Sequence, residues 1–269
     1  MNPVIEAKGL VKRYAAVTAL DGLDPVVPEG TILSLHGPNR AGKTTAVSIL
    51  TTLLEPDAGT AHVAGVDVLQ APRDARKLIG LSGQYAAVDE HHTGFENLDM
   101  IGLLYRLGRQ RSRERAGELP QRFDLAPAAH RPVKTYSGGM RRRLDLAGAL
   151  VAEAPVLFLG RAHQRTRPPQ SDRLWHTIRD LVSRGTTLLL TTQCLEEADQ
   201  LADEIVVIDH GRAIARGTSD ELKSMVGGER IEVAIDRIEN VSRAAGVVII
   251  IVVLAPLAVG RYKRIGTHR

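Results

Sequence analysis

The chain has 269 residues, 43% of them apolar and 25% charged, an ordinary globular balance that argues against a disordered or fibrous protein. A single cysteine, Cys194, excludes an internal disulfide framework and the usual multi-cysteine zinc sites. The net charge of +4 is mild, and aromatics at 3% offer little stacking surface for single-stranded nucleic acid, so no nucleic-acid partner is expected. Among the basic residues, 28 arginines stand against 7 lysines, which suggests a GC-rich genome. The first thirty residues carry no secretory pattern, and a cytoplasmic location is the expectation.

In chain order, the alternation Val4-Ile5-Glu6-Ala7-Lys8 and the run Thr31–His36 predict strands. Lys43–Leu54 has helical spacing and ends at the turn cluster Glu55–Gly59. Short strands are expected at Ala61–Val63 and Ile79–Leu81, then mostly helix from Phe95 to about Gly117 and again from Ser137 to about Ala152. Pro155–Leu159 is continuously apolar, as in a parallel strand covered on both faces. Helix near Asp172–Val182, strand Thr186–Leu190, helix Leu195–Ala202 and strand Glu204–Ile208 continue the alternation. Asp209-His210-Gly211-Arg212 reads as a hairpin turn, with glycine supplying the positive φ. The class is α/β with a mostly parallel sheet core. The apolar run 246–260, flanked by basic residues, is shorter than the roughly 20 residues of a bilayer span. It reads either as a buried strand and turn or as a membrane-surface tail.

Gly37-Pro38-Asn39-Arg40-Ala41-Gly42-Lys43-Thr44 fits G-x-x-x-x-G-K-[ST], directly after a strand and before a helix. Such a loop turns backbone N–H groups and a helix N-terminus toward an anion. Lys43 would reach the β- and γ-phosphates, and the Thr44 hydroxyl, followed by Thr45, would face Mg²⁺.

Further segments follow in the order of one family. Tyr136-Ser137-Gly138-Gly139-Met140-Arg141-Arg142-Arg143-Leu144 resembles the signature motif of ABC-transporter ATP-binding subunits. Gly83-Gln84-Tyr85 is similar to their glutamine loop, and Tyr14 stands where they carry an adenine-stacking aromatic. Residues 83–90 and 191–199 resemble, more narrowly, the daunorubicin-resistance type of bacterial drug exporter. The resemblance covers about residues 3–230 and implies the P-loop ABC fold, with an antiparallel β part near the N-terminus and a helical signature subdomain at about 84–150. It divides the chain into an ATP-binding domain, 1–226, and a truncated or altered extension, 227–269. It implies ATP and Mg²⁺ as cofactors, with Gln84 touching the metal, and a homodimer that sandwiches ATP between one subunit's phosphate loop and the other's Ser137, Gly138, Gly139 and Met140. A separate integral membrane permease, driven from the cytoplasmic face of the membrane, completes the assembly. Gln193 takes the switch position, where many relatives carry histidine. His91 and His92 read as solvated loop residues, and Arg141-Arg142-Arg143 as a solvated helix face.

Two positions depart from the family. Arg40 replaces a glycine; if that position needs positive φ, arginine costs of order 1 kcal/mol there. After Leu159 the family has a metal-holding aspartate, then a catalytic glutamate and a short loop ending in leucine-aspartate. Here Gly160 and Arg161 occupy those two positions, and no carboxylate occurs between Glu153 and Asp172. One permitted back-translation of Gly160–Pro168 is GGA CGA GCC CAC CAA CGG ACT CGA CCC. Deleting one G yields Asp-Glu-Pro-Thr-Asn-Gly-Leu-Asp, the family segment. A compensating shift near Pro168-Pro169 restores the frame, since Leu174-Trp175 and Thr186–Leu190 resemble the family again. This paired frameshift is either a decayed gene or a sequence error. Two functions follow: a motor subunit hydrolysing ATP to drive efflux of an amphipathic drug, or a nucleotide-binding module deficient in hydrolysis. A translation or repair factor fits less well, because those commonly carry two cassettes and this chain has one phosphate loop.

Overall fold

The structure is a computed structural model that describes residues 3–83, 88–160 and 168–225, without the side chains of 168–174, 195 and 196. Gln84, Arg161 and the apolar run 246–260 lie outside the described residues. Residues up to Arg216 form one compact unit, and a second begins at Gly217.

The chain starts with an antiparallel layer. β1 (Pro3–Tyr14) pairs with β2 (Val17–Leu23) and with β3 (Val26–Pro28). β4 (Ile32–His36) and α1 (Lys43–Leu50) follow, then β5 (Ala58–Val63), antiparallel to β1, and β6 (Val66–Asp67). After α2 (Pro72–Lys77) and β7 (Ile79–Ser82) come two helices, α3 (Gly94–Leu104) and α4 (Arg109–Arg122). α5 (Gly138–Ala149) leads to β8 (Val156–Gly160), α6 (Pro168–Ser183), β9 (Thr187–Thr192), α7 (Leu195–Leu201), β10 (Glu204–Asp209) and β11 (Arg212–Gly217). In the second unit, α8 (Ser219–Met225) begins at a reciprocal cap between Thr218 and Glu221.

The main sheet has the order β11-β10-β4-β9-β8-β7. Its strands β10, β4, β9, β8 and β7 run parallel. Every residue of β9 is buried, as are the first four of β4 and of β8, because helices cover both faces. One apolar cluster joins the antiparallel layer to α1 through Ile5, Leu20, Ile49 and Phe158. The other seats α3, α4 and α5 around Leu98, Leu119, Leu144 and Leu157.

Three expectations change. The first helix ends at Leu50, four residues short of the predicted end. Phe95–Gly117 is two helices, interrupted at Tyr105–Gly108. The basic run on α5 is not wholly a solvated face: the Arg142 side chain is 18% exposed and pairs inward with Asp145, whereas Arg141, 31% exposed, pairs with the exposed Glu90 at the surface.

Candidate functional site

Strand register brings the site together. His36 lies opposite Thr192, and Gly160 opposite Thr191, so the loops leaving the C-terminal ends of β4, β8 and β9 emerge side by side. That edge of a parallel sheet is where ligands of such folds bind. A cleft of about 480 Å³ opens there, lined by residues 39–45 and by Gly83, Gly160, Thr191 and Gln193.

The loop 37–42 is built by close backbone approach. A Cβ on Gly37 would lie 2.2 Å from the Ile208 carbonyl oxygen, and one on Gly42, at φ +108°, 2.4 Å from that of Ala19. Only glycine fits either place. The turn between β10 and β11 braces the loop, the Gly211 N–H donating to the Ala41 carbonyl at 3.0 Å. Arg40 adopts φ +68°, so the left-handed conformation inferred from the family's glycine is real, and its arginine is strained.

α1 starts at this loop with Gly42 as N-cap, no side-chain cap and no acidic residue in its first turn. Its dipole and N-terminal amides therefore favour an anion. Lys43 is 8% exposed, and its ammonium donates to the Gly37 and Pro38 carbonyls at 2.6 and 2.7 Å, which holds the cation at the loop. Thr44 is exposed and Thr45 half-buried on the cleft side. Gln193 donates from Nε2 to Oδ1 of Asn39, linking the end of β9 to the loop. Beneath it, His36 is pushed down to about 4 by burial and by the Lys43 charge, so its imidazole is neutral near pH 7.

The residues present fit a nucleotide phosphate chain. They fit its metal less completely: Thr44 offers a hydroxyl, but Gly160 stands without a side chain where the strand end would present a carboxylate. Among the described residues no group of three His, Cys, Asp or Glu could hold a metal. His91 and His92 are exposed around Asp89, which accepts from the His91 N–H and lies 3.1 Å from Nδ1 of His92.

Ser137 caps α5, its hydroxyl accepting from the Met140 N–H at 3.2 Å. Ser137 and Gly138 are exposed, and none of residues 137–140 lines the cleft of its own chain. Tyr14 is 48% exposed with the Lys12 ammonium 5.9 Å from its ring centre, and it too stands outside the cleft lining. Sequence reasoning missed Asn97, which is fully buried and ties the loop before α3 by bonds to Asp89 and Thr93. It also missed the inward reach of Arg142; the Arg–Asp spacing of three on α5 was the available signal.

The family model described as ABC transporter matches residues 20–161. The chain belongs to the ABC transporter family. Within this family it is 53% identical, over 91% of its length and 76% of the relative's, to the daunorubicin resistance ATP-binding protein DrrA2 of Streptomyces coeruleorubidus. It is 43% identical to the doxorubicin resistance ATP-binding protein DrrA of Mycobacterium tuberculosis strain H37Rv, over 85% of this chain and 70% of that one. Among solved structures, an ATP-binding subunit of an ABC transporter superposes with a TM-score of 0.76 at 25% identity, covering 83% and 93% of the two chains. An ATP-binding cassette solved as a dimer with ADP and Pi shares the fold at a TM-score of 0.74 and 20% identity, over 80% of this chain and 98% of that one. The daunorubicin-resistance type of ABC ATPase is thereby the chain's branch. Among the described residues no helix is long and apolar enough to cross a membrane.

Proposed function

We propose that this chain is the nucleotide-binding subunit of a drug exporter. It would take ATP and Mg²⁺ at the loop Gly37–Thr45, pair with a second copy across two nucleotides, and drive a separate permease from the cytoplasmic face of the membrane. The observation that carries the reading is the register placing Lys43, Thr44, Gly160 and Gln193 around one cleft. The exposed signature turn, outside that cleft, supports its use by a partner copy. The resistance proteins it resembles support an amphipathic antibiotic as cargo. ATP would be held by loop amides and Lys43, and Mg²⁺ would neutralise the phosphate oxygens beside Thr44.

A second surface suits the permease. A groove of about 740 Å³ is rimmed by Arg73, Arg76, Arg106 and Lys77, the last paired with Asp74 at 2.6 Å, with Leu53 and Leu104 exposed by 66% and 75%. Its occupant is a cytoplasmic permease segment carrying apolar side chains flanked by carboxylates. Binding of a fluorescent ATP analogue and co-purification with the permease test both parts. Lys43→Ala is expected to weaken nucleotide binding at least tenfold, as loss of a charge-assisted phosphate contact does. Leu104→Asp is expected to keep the nucleotide and lose the permease. Equal binding by Lys43→Ala and the native chain overturns the phosphate-loop assignment; undiminished co-purification of Leu104→Asp overturns the groove.

Gly160 favours a second reading, in which the chain closes on ATP with little turnover. β8 ends at Gly160, which has no side-chain carboxylate to position a metal.

A further inference from the structure

Arg142 leaves the second turn of α5 and reaches the ends of two strands at once. Nη1 donates to the Gly83 carbonyl at 2.6 Å and to Oδ2 of Asp145 at 3.1 Å, while Nη2 donates to the Gly160 carbonyl at 2.7 Å. Oδ2 of Asp145 also accepts from the Ser82 hydroxyl, and the Asp145 side chain is only 5% exposed. Ser82 and Leu159 are register partners in β7 and β8, so the two carbonyls belong to the next residues along adjacent parallel strands. One planar guanidinium therefore closes both strand ends, a geometry that an ammonium could not reproduce. Burial lowers the Arg142 pKa, with the charges of Asp145 and Glu197 opposing that shift.

The two strand ends are walls of the nucleotide cleft, since Gly83 and Gly160 both line it. The helix that carries Arg142 begins at Ser137, whose exposed turn lies outside that cleft. Arg142 thus joins the wall of one cleft to the signature turn of the same chain. In the ATP-bridged pair proposed above, on which this inference rests, that turn meets the nucleotide held by the other copy. We propose that Arg142 is a positioning residue that couples the two nucleotide sites of the pair. Nucleotide in one chain's cleft fixes the ends of β7 and β8, Arg142 transfers that constraint to α5, and α5 then presents Ser137–Met140 in the orientation that closes over the second nucleotide. Asp145 aims the guanidinium, and Ser82 aims Asp145.

The test uses the full chain, native and Arg142→Met, with three readouts: affinity for a fluorescent ATP analogue, ATP-dependent dimerisation by sedimentation, and amide exchange of residues 137–144 in dilute monomer with and without ATP. Arg142→Met is expected to keep the analogue affinity within about twofold, yet to need about tenfold more ATP to dimerise, a coupling of ordinary size. ATP is expected to slow exchange at 137–144 in the native chain and not in the variant, and Arg142→Lys, whose ammonium cannot span both carbonyls, to behave like Arg142→Met. Native-like dimerisation and native-like protection in Arg142→Met would overturn the proposal. If the native chain binds ATP without dimerising, the paired reading fails, whereas the exchange measurement still decides whether Arg142 carries the constraint. If Arg142→Met shows no cooperative melting, Asp145→Asn takes its place; a shift in the same direction supports the coupling and native behaviour overturns it.

Discussion

Arg40 at φ +68° and His36 below it show how single residues set the character of the phosphate loop. The loop keeps a left-handed residue at a place where arginine is strained by about 1 kcal/mol, because the flanking backbone is locked by Gly37 against Ile208 and by Gly42 against Ala19. His36 is readable in sequence only as a strand residue; its titration depends on burial and on the Lys43 charge, which appear only when β4 and α1 fold together. Its Nδ1 is buried without a hydrogen-bond partner. The imidazole stays neutral in the folded chain down to about pH 4, against an ordinary value of 6.5. Between those values protons bind the unfolded chain preferentially, so stability is fully present above 6.5 and falls as pH drops toward 4. Urea unfolding at pH 7 and pH 5 is expected to show the native chain losing about 1 kcal/mol more than His36→Leu, the full shift being discounted for partial exposure. Equal losses in the two proteins would mean that His36 is not the group responsible.

At the scale of elements, the helix ends were the least legible feature, and the reason is the same twice. α1 finishes with the Thr52 N–H bonded to the Ile49 carbonyl and the Leu53 N–H to that of Ser48, with Thr52 at φ +64°. α3 finishes with Arg106 at φ +62°, bonded to Leu103, and Leu107 bonded to Gly102. Both are left-handed C-terminal caps of the kind glycine usually fills, so threonine and arginine gave no stop signal. Starts were easier: Ser137 caps α5 as its identity suggests, and Thr93 with Glu96 forms a reciprocal cap on α3. Arg142 was misread because charge on a helix normally faces water, whereas inside this fold strand ends and helix ends present carbonyls to arginine. Arg115 is the plainest case, its side chain 4% exposed, donating to the Leu150 carbonyl at 2.7 Å and to Glu118 at 2.7 Å. It satisfies the C-terminal end of α5 with a positive charge, where the helix dipole favours one. Arg115→Met is expected to cost about 2–3 kcal/mol, read as a lower urea midpoint. An unmoved midpoint would mean that water serves those carbonyls equally well.

For the molecule as a whole, the order of motifs along the chain revealed the family and the cleft, while the coupling between them was hidden in the register of β7, β8 and β9. Thr191 pairs with Gly160, and Ser82 with Leu159, so the end of β8 lies between the walls formed by Gly83 and Gln193. In a hydrolysing relative that central position would supply the carboxylate that holds the metal, with the general base one residue later. Here Gly160 offers only a backbone carbonyl, and Arg142 already occupies it. A general base typically contributes roughly 10²–10⁴ in rate, and losing the metal-positioning group lowers the rate further, although the two losses do not multiply. Nucleotide binding is expected to survive both losses, because Lys43 and the N-terminus of α1 remain to hold the phosphates. The chain as written is therefore expected to bind ATP and release phosphate near the uncatalysed background. Replacing residues 160–168 by the segment of the restored frame, which begins Asp-Glu at 160 and 161, is expected to recover turnover in part. Phosphate release measured for both chains in the presence of the permease decides the matter. Turnover by the unaltered chain at a rate matching the restored one would place the base elsewhere and remove the significance given to Gly160.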